Sequence, residues 1–149
     1  MHAMILAATL VLAMPIAFAA SAPDPMAARY GNTTLALDPD GSVTRLFYSA
    51  DNSFLARRDA TEVHGMWKIV SGQLCLEYRF SKLAPYQTEC FAIAPHAVGD
   101  VWLVGPRRVT LVTGVVKDDT PEVLAALAAA SRVGNTIVAQ DPDGTETRL

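Results

Sequence analysis

Residues 31–46 read GNTTLALDPDGSVTRL, and residues 134–149 read GNTIVAQDPDGTETRL. Eleven of the sixteen aligned positions are identical, and Arg29 aligns with Arg132 ahead of the two copies. Agreement of that kind within 149 residues points to duplication. Each copy predicts a β-hairpin. Residues 33–37 and 136–140 supply β-formers that meet Asp-Pro-Asp-Gly and continue into a second short strand. Pro39 and Pro142 preset φ for the first central turn position, and Gly41 and Gly144 tolerate the left-handed conformation that closes a type I turn with a bulge.

The chain between the copies keeps a β pattern. A strand over residues 53–57 follows an Asp51-Asn52 turn. Residues 66–70 and 74–78 flank Ser71-Gly72-Gln73, with Trp67 and Ile69 alternating against Lys68, and Leu74, Leu76 and Tyr78 alternating against Cys75 and Glu77. That is the period of a half-buried hairpin. Residues 89–93, 101–104 and 109–116 are further strands, punctuated by Gly and Pro. One helix interrupts the series over residues 120–133. Asp119 or Thr120 caps it, Pro121 suits its first turn, Glu122 complements the dipole, and Gly134 ends it. Val123, Leu124, Leu127 and Ser131 share one face, expected to lie on the sheet. The fold class is therefore mainly β: a small antiparallel sheet or barrel-like domain with one C-terminal helix and a terminal β-hairpin.

Residues 1–19 form an uncharged apolar run closing on Ala17-Phe18-Ala19, the h-region and small-residue cleavage site of a secretory signal peptide. The segment falls short of a spanning helix of about 20 residues and contains Pro15. Cleavage leaves residues 20–149 as a single β-rich domain, with its core at 30–113, and no membrane anchor. A periplasmic or secreted location makes Cys75 and Cys90, on neighbouring predicted strands, a disulfide pair. Bridging their fifteen-residue separation stabilises by about 3 kcal/mol in the chain-entropy account. Neither cysteine has the CxxC spacing or cationic helix start of a reactive thiol.

The formal net charge of −3 is too mild to imply nucleic acid or an anionic membrane as a partner. The doublets Arg57-Arg58 and Arg107-Arg108 read as solvated strand ends. Asp38-x-Asp40-Gly41 and Asp141-x-Asp143-Gly144 invite a calcium reading, but position 1 of such a loop is Ala36 or Ala139, and no Glu closes it. His64 and His96 read as surface histidines in turns, and Asp51, Glu62 and Asp100 are the acids that a metal or acid-base site with either would need. The chain has no Gly-x-Ser-x-Gly, His-Glu-x-x-His or P-loop; Ser71 reads as a turn residue, and Asp118-Asp119 as a helix start. The sequence predicts no catalytic residue, no cofactor-binding residue and no metal site. Trp67, Trp102, Tyr48, Tyr78, Phe47 and Phe80 either fill a small core or line a cavity if the strands close.

Gly65-Met66-Trp67-Lys68, Leu74-Cys75-Leu76 and Glu89-Cys90-Phe91 resemble a Gly-x-Trp-Lys…Leu-Cys-Leu…Cys pattern. It is shared by small exported alphaproteobacterial proteins of unknown function. The stretches 30–33 (YGNT) and 98–102 (VGDVW) also resemble that group, so the resemblance covers about residues 30–113. It implies a compact antiparallel β-domain with a Cys75–Cys90 bridge and implies no activity. The chain departs from the group after Thr113.

The functional expectation is a non-catalytic binding or interaction module whose partner is an unidentified protein or envelope component. A small apolar-ligand carrier is the alternative, and a hydrolase with a site assembled from His64, His96 and carboxylates comes third. The repeat adds one expectation about partners: the 134–149 hairpin is a route to self-association, pairing within its own chain or replacing the first hairpin in a second copy.

Overall fold

The computed structural model describes residues 22–134 and the backbone of the two short strands at 138–140 and 146–148. The leader expected at 1–19 and the second Asp-Pro-Asp-Gly turn at 141–144 lie outside the described residues. A short 3-10 turn, Ala27–Arg29, leads into β1 (Thr33–Leu37), β2 (Val43–Tyr48), β3 (Ser53–Arg58), β4 (Thr61–Val70), β5 (Gln73–Tyr78) and β6 (Gln87–Ala92). Then come β7 (Val101–Val104), β8 (Arg107–Val112), α1 (Pro121–Ala130), β9 (Val138–Gln140) and β10 (Glu146–Arg148). Eight strands form one antiparallel sheet in the order β6-β5-β4-β3-β2-β1-β8-β7, curled into a half-barrel, with β9 and β10 as a separate pair. The chain is mainly β with one C-terminal helix, as its patterning predicts.

Turn chemistry sets most of the register. The Asp38 N–H donates to Ser42 O at 2.9 Å and the Gly41 N–H to Asp38 O at 3.0 Å, with Gly41 at φ +85°, giving the bulged turn expected between β1 and β2. Ser71 (φ +51°) and Gly72 (φ +75°) make the two-residue link from β4 to β5, the primed geometry that matches strand twist. A third tight link, Asp59-Ala60, joins β3 to β4 with Asp59 at φ +52°. It starts β4 five residues before the sequence pattern suggests. His64 and Gly65 therefore lie within β4 and not in a turn. Polar Glu62 and His64 alternate with Val63 there, and of the three only Val63 is buried.

The β1–β6 meander becomes a curled sheet because β8 returns to pair with the free side of β1, from Thr33↔Val112 to Leu37↔Arg108. Asn32 and Thr33 fasten that return. The Asn32 side chain donates from Nδ2 to Ala28 O at 2.9 Å and accepts the Gly114 N–H at 2.8 Å. Thr33 Oγ1 donates to Gly114 O at 2.7 Å and accepts the Val116 N–H at 2.8 Å. These contacts give the first Gly-Asn-Thr a structural role. In the second copy, β9 and β10 pair Val138↔Arg148, Ala139↔Thr147 and Gln140↔Glu146. The equivalent pairs in the first copy are Leu35↔Arg45, Ala36↔Thr44 and Leu37↔Val43, so both copies fold in the same register.

Two apolar clusters flank the sheet. On the concave side Met26, Tyr48, Phe54, Trp67, Leu74 and Leu76 form the main core, with Tyr30 and Phe91 against it. Trp67 is held by three hydrogen bonds: its indole donates to Ser49 O at 3.0 Å, its N–H to Asn52 O at 2.7 Å, and its carbonyl accepts from Asn52 Nδ2 at 3.2 Å. On the convex side Leu35 and Val112 meet Val123 of α1, with Ala126 and Leu127 beside them. Thr120 caps α1 through Oγ1, which accepts the Val123 N–H at 3.3 Å. The buried helix face is corrected by these contacts. It runs Val123, Ala126, Leu127, Ala130, whereas Leu124 and Ser131 point to solvent, because the small alanines let the helix sit close to the strands. Ile69 is also exposed, being near the tip of the β4–β5 hairpin where little lies above it.

Cys75 and Cys90 occupy directly opposed positions on β5 and β6, Cα to Cα 4.0 Å, and form a disulfide. It secures β6, which has a strand neighbour on one side only. A disulfide, and the absence among the described residues of any helix long and apolar enough to cross a membrane, are compatible with an exported soluble protein. We expect reduction, or paired Cys75→Ser and Cys90→Ser substitution, to cost about 3 kcal/mol in urea unfolding, with hydrogen exchange rising first along β6.

Gly65 shows why this strand needs glycine. A Cβ there would stand 2.5 Å from both Glu77 O and Phe54 Cε1, because the Phe54 ring lies over the glycine of the facing strand. Gly65→Ala pushes that ring out of the core and is expected to destabilise by about 2 kcal/mol, the scale of core overpacking, read as a lowered urea midpoint at unchanged m-value.

Candidate functional site

Strand alternation decides what faces the hollow of the half-barrel. Ala36, Leu46, Phe54, Ala56, Val63, Leu76 and Tyr78 project inward from β1 to β5 and line an open cleft of about 450 Å³. Phe80, Gln87, Glu89 and Arg107 complete its wall. The mouth lies at the end where β1, β3 and β5 finish and β2, β4, β6 and β8 begin. The opposite end is closed by the segment before β1, where Met26 is wholly buried in the core.

Charges at the mouth are paired across the opening. Arg58 and Arg107 both bind the Asp38 carboxylate, the latter from Nε at 2.7 Å. Arg107 also reaches Glu89 on β6, Nη1 to Oε2 3.6 Å, linking the two sides of the gap. The bond to Asp38 is the main cause that holds the Arg107 pKa above its ordinary value. Glu89 accepts the Tyr78 hydroxyl at 2.7 Å. Burial, then that hydrogen bond, push the Tyr78 pKa up to about 12, so the phenol stays a donor at neutral pH.

A narrower space of about 50 Å³ runs along the gap between β6 and β7, with Glu89 and Arg107 towards the mouth and Arg29, Thr34, Tyr48, Phe91 and Trp102 towards the closed end. Arg29 is only 4% exposed. Its guanidinium sits 5.1 Å from the Trp102 ring centre and 5.9 Å from that of Tyr48. Burial lowers its pKa from the ordinary value, and burial likewise pushes the Tyr48 phenol up to about 12. His96 stacks on Trp102, ring centres 3.8 Å apart and planes within 7°, with Asp100 at 3.8 Å from Nδ1.

The residues singled out by sequence are thus distributed unevenly. Trp67 fills the core, Tyr48 belongs to the core and also borders the narrow space, and Tyr78, Phe80 and Trp102 line the hollow. Phe47 lies on the convex face in a shallower groove with Leu55 and His64. Both core-filling and cavity-lining readings hold, and Tyr48 takes both roles. His64 and His96 sit on separate elements in different surroundings: His64 is exposed on β4, and His96 meets Asp100, one of the acids foreseen. The Asp38-Pro39-Asp40-Gly41 loop is a turn whose acids are spent internally, Asp38 on the arginines and Asp40 on the Ser42 N–H (2.9 Å) and hydroxyl (2.7 Å). Arg58 and Arg107 do stand at strand ends with half-exposed side chains, and they also pair with Asp38 at the cleft mouth. The sequence marks Arg29 only as aligned with Arg132 ahead of the repeat, and that alignment carries no sign of its burial in the hollow. Compared with protein-family models, with curated proteins and with solved structures, the chain finds no match.

His96 gives a pH dependence. Its pKa is lowered from 6.5, first by burial, then by the Arg29 charge, against a smaller opposing effect of Asp100. Between the folded value and about 6.5 the unfolded chain binds a proton that the folded chain does not, so stability rises with pH there and levels off above. Acidification through that window should therefore lower the urea midpoint. His96→Gln is expected to flatten this part of the profile, measured by denaturation at about pH 7.5 and about pH 5.

Proposed function

We propose that this chain is an exported, non-catalytic binding module that carries a small apolar ligand in the hollow of its half-barrel. The observation that carries the reading is the 450 Å³ cleft, whose inner wall is Leu46, Phe54, Ala56, Val63 and Leu76 and whose polar groups are confined to the rim. Its size falls in the range of small-molecule sites, and an apolar wall with few convergent polar groups is their usual composition. The tight pairing of Asp38, Arg58, Arg107 and Glu89 supports binding over chemistry, since these four charges at the mouth are engaged with one another. The apolar side chains Phe80, Leu83 and Tyr86 on the β5–β6 connection stand exposed, and Phe80 borders the cleft, which suits an entry route for a poorly soluble ligand.

The test uses N-phenyl-1-naphthylamine, a neutral probe that fluoresces in apolar surroundings. We expect saturable binding at one site per chain. Ala56→Phe, which fills the middle of the cleft from an inward-facing position, should weaken that binding by about tenfold or more while leaving the circular dichroism spectrum unchanged. A probe that fails to bind, or binds Ala56→Phe equally well, would overturn the reading.

A further inference from the structure

Three buried side-chain polar atoms lack a hydrogen-bond partner among the described residues, Arg29 Nε, Thr34 Oγ1 and Arg45 Nε, and the first two line the hollow. Arg29 and Thr34 border the same 50 Å³ space. No carboxylate of the described residues pairs with Arg29, and its guanidinium lies against the rings of Tyr48 and Trp102. An unpaired charge so placed is costly, and a native fold keeps such a group where it has a use.

The remaining charges sharpen the point. At the mouth, Asp38 and Glu89 balance Arg58 and Arg107, two negative against two positive. Arg29 is the arginine of the hollow that no carboxylate pairs among the described residues. Glu89 also borders the small space, but Arg107 and Tyr78 already occupy it. A space of 50 Å³ exceeds the roughly 10–15 Å³ that one water needs, and a guanidinium fork matches the two oxygens of a carboxylate. The small space and the apolar cleft share Ala36, Leu46, Leu76, Glu89 and Arg107, so a single molecule can extend through both.

We propose that Arg29, with the Thr34 hydroxyl beside it, seats the carboxylate of an amphiphilic monoanion whose apolar tail lies in the cleft against Leu46, Ala56 and Leu76. The inference rests on the carrier reading above and adds the chemical class of its ligand. It also accounts for the buried segment before β1, which closes the barrel floor and delivers the cation to it.

Decanoate and 1-decanol share a chain and differ in the head group, so titrating the full disulfide-bonded chain with each separates tail from head. At neutral pH we expect decanoate to bind about tenfold or more tighter than decanol, the effect of one charge-assisted hydrogen bond. Arg29→Met should erase that preference while retaining decanol binding. It should also unfold at the same or higher urea concentration, because it removes a buried charge that has no partner. Should Arg29→Met fail to fold, Arg29→Lys and Thr34→Val carry the comparison, each reducing the preference. Decanoate should raise the NMR-measured pKa of His96 by neutralising the nearby Arg29 charge, whereas decanol should leave it unchanged. Equal binding of the two amphiphiles, or an undiminished preference in Arg29→Met, overturns the carboxylate seat while leaving the carrier standing. Failure of both to bind sinks the carrier reading itself.

Discussion

The return of β8 to the free side of β1 is the constraint on which the rest of the molecule depends. A six-strand meander by itself is an open sheet with one face to bury. Placing β8 and β7 beyond β1 lengthens it to eight strands, and the right-handed twist then accumulates enough to curl the sheet on itself. The curl carries Arg107 on β8 to Glu89 on β6 and gives the concave side an interior. The same return places Val112 next to Leu35 on the convex side, where α1 covers both. Asn32 and Thr33 make this possible by satisfying the backbone of Gly114 and Val116, which leave the sheet at that point. Loss of those bonds would free the last two strands and open the hollow.

Within that frame the interior is graded from one end to the other. Ionic pairs rim the mouth, apolar and aromatic side chains form the middle, and a cation set against the Tyr48 and Trp102 rings lies at the floor. Surface ion pairs contribute little to stability, so the charged rim is better understood as shaping the opening than as holding the fold. Stability comes from the Phe54, Trp67 and Leu74 cluster and from the Cys75–Cys90 link, both of which bear on the strands that wall the hollow.

Much of the fold was legible because its signals are local. Asp-Pro-Asp-Gly announced the first hairpin, alternation of Leu74, Leu76 and Tyr78 announced β5, and Pro121 after Thr120 announced α1. Opposed cysteines on adjacent strands followed from the same strand assignments. What stayed hidden was non-local. Asp59-Ala60 carries no turn signature, so the first half of β4 was missed, and the helix face was misjudged because alanine gives a weak amphipathic pattern. The candidate site was less legible still. Asp38, Arg58, Glu89 and Arg107 come from four separate parts of the chain, and nothing in their sequence surroundings links them. Arg29 becomes informative only when its burial and missing partner are known.

The duplicated hairpin separates what sixteen residues encode from what their surroundings decide. Both copies adopt one register, with Ala36↔Thr44 matched by Ala139↔Thr147, so turn chemistry and strand pattern suffice for the pairing itself. Membership of a sheet does not follow from them. β1 gains a second neighbour because β8 reaches it and Gly114 meets Asn32 and Thr33, whereas β9 and β10 form a two-stranded sheet of their own. A two-stranded pair is marginal in water unless something packs on it. The first copy is a structural keystone because of where β8 lands, and the second shares its sequence without sharing that role.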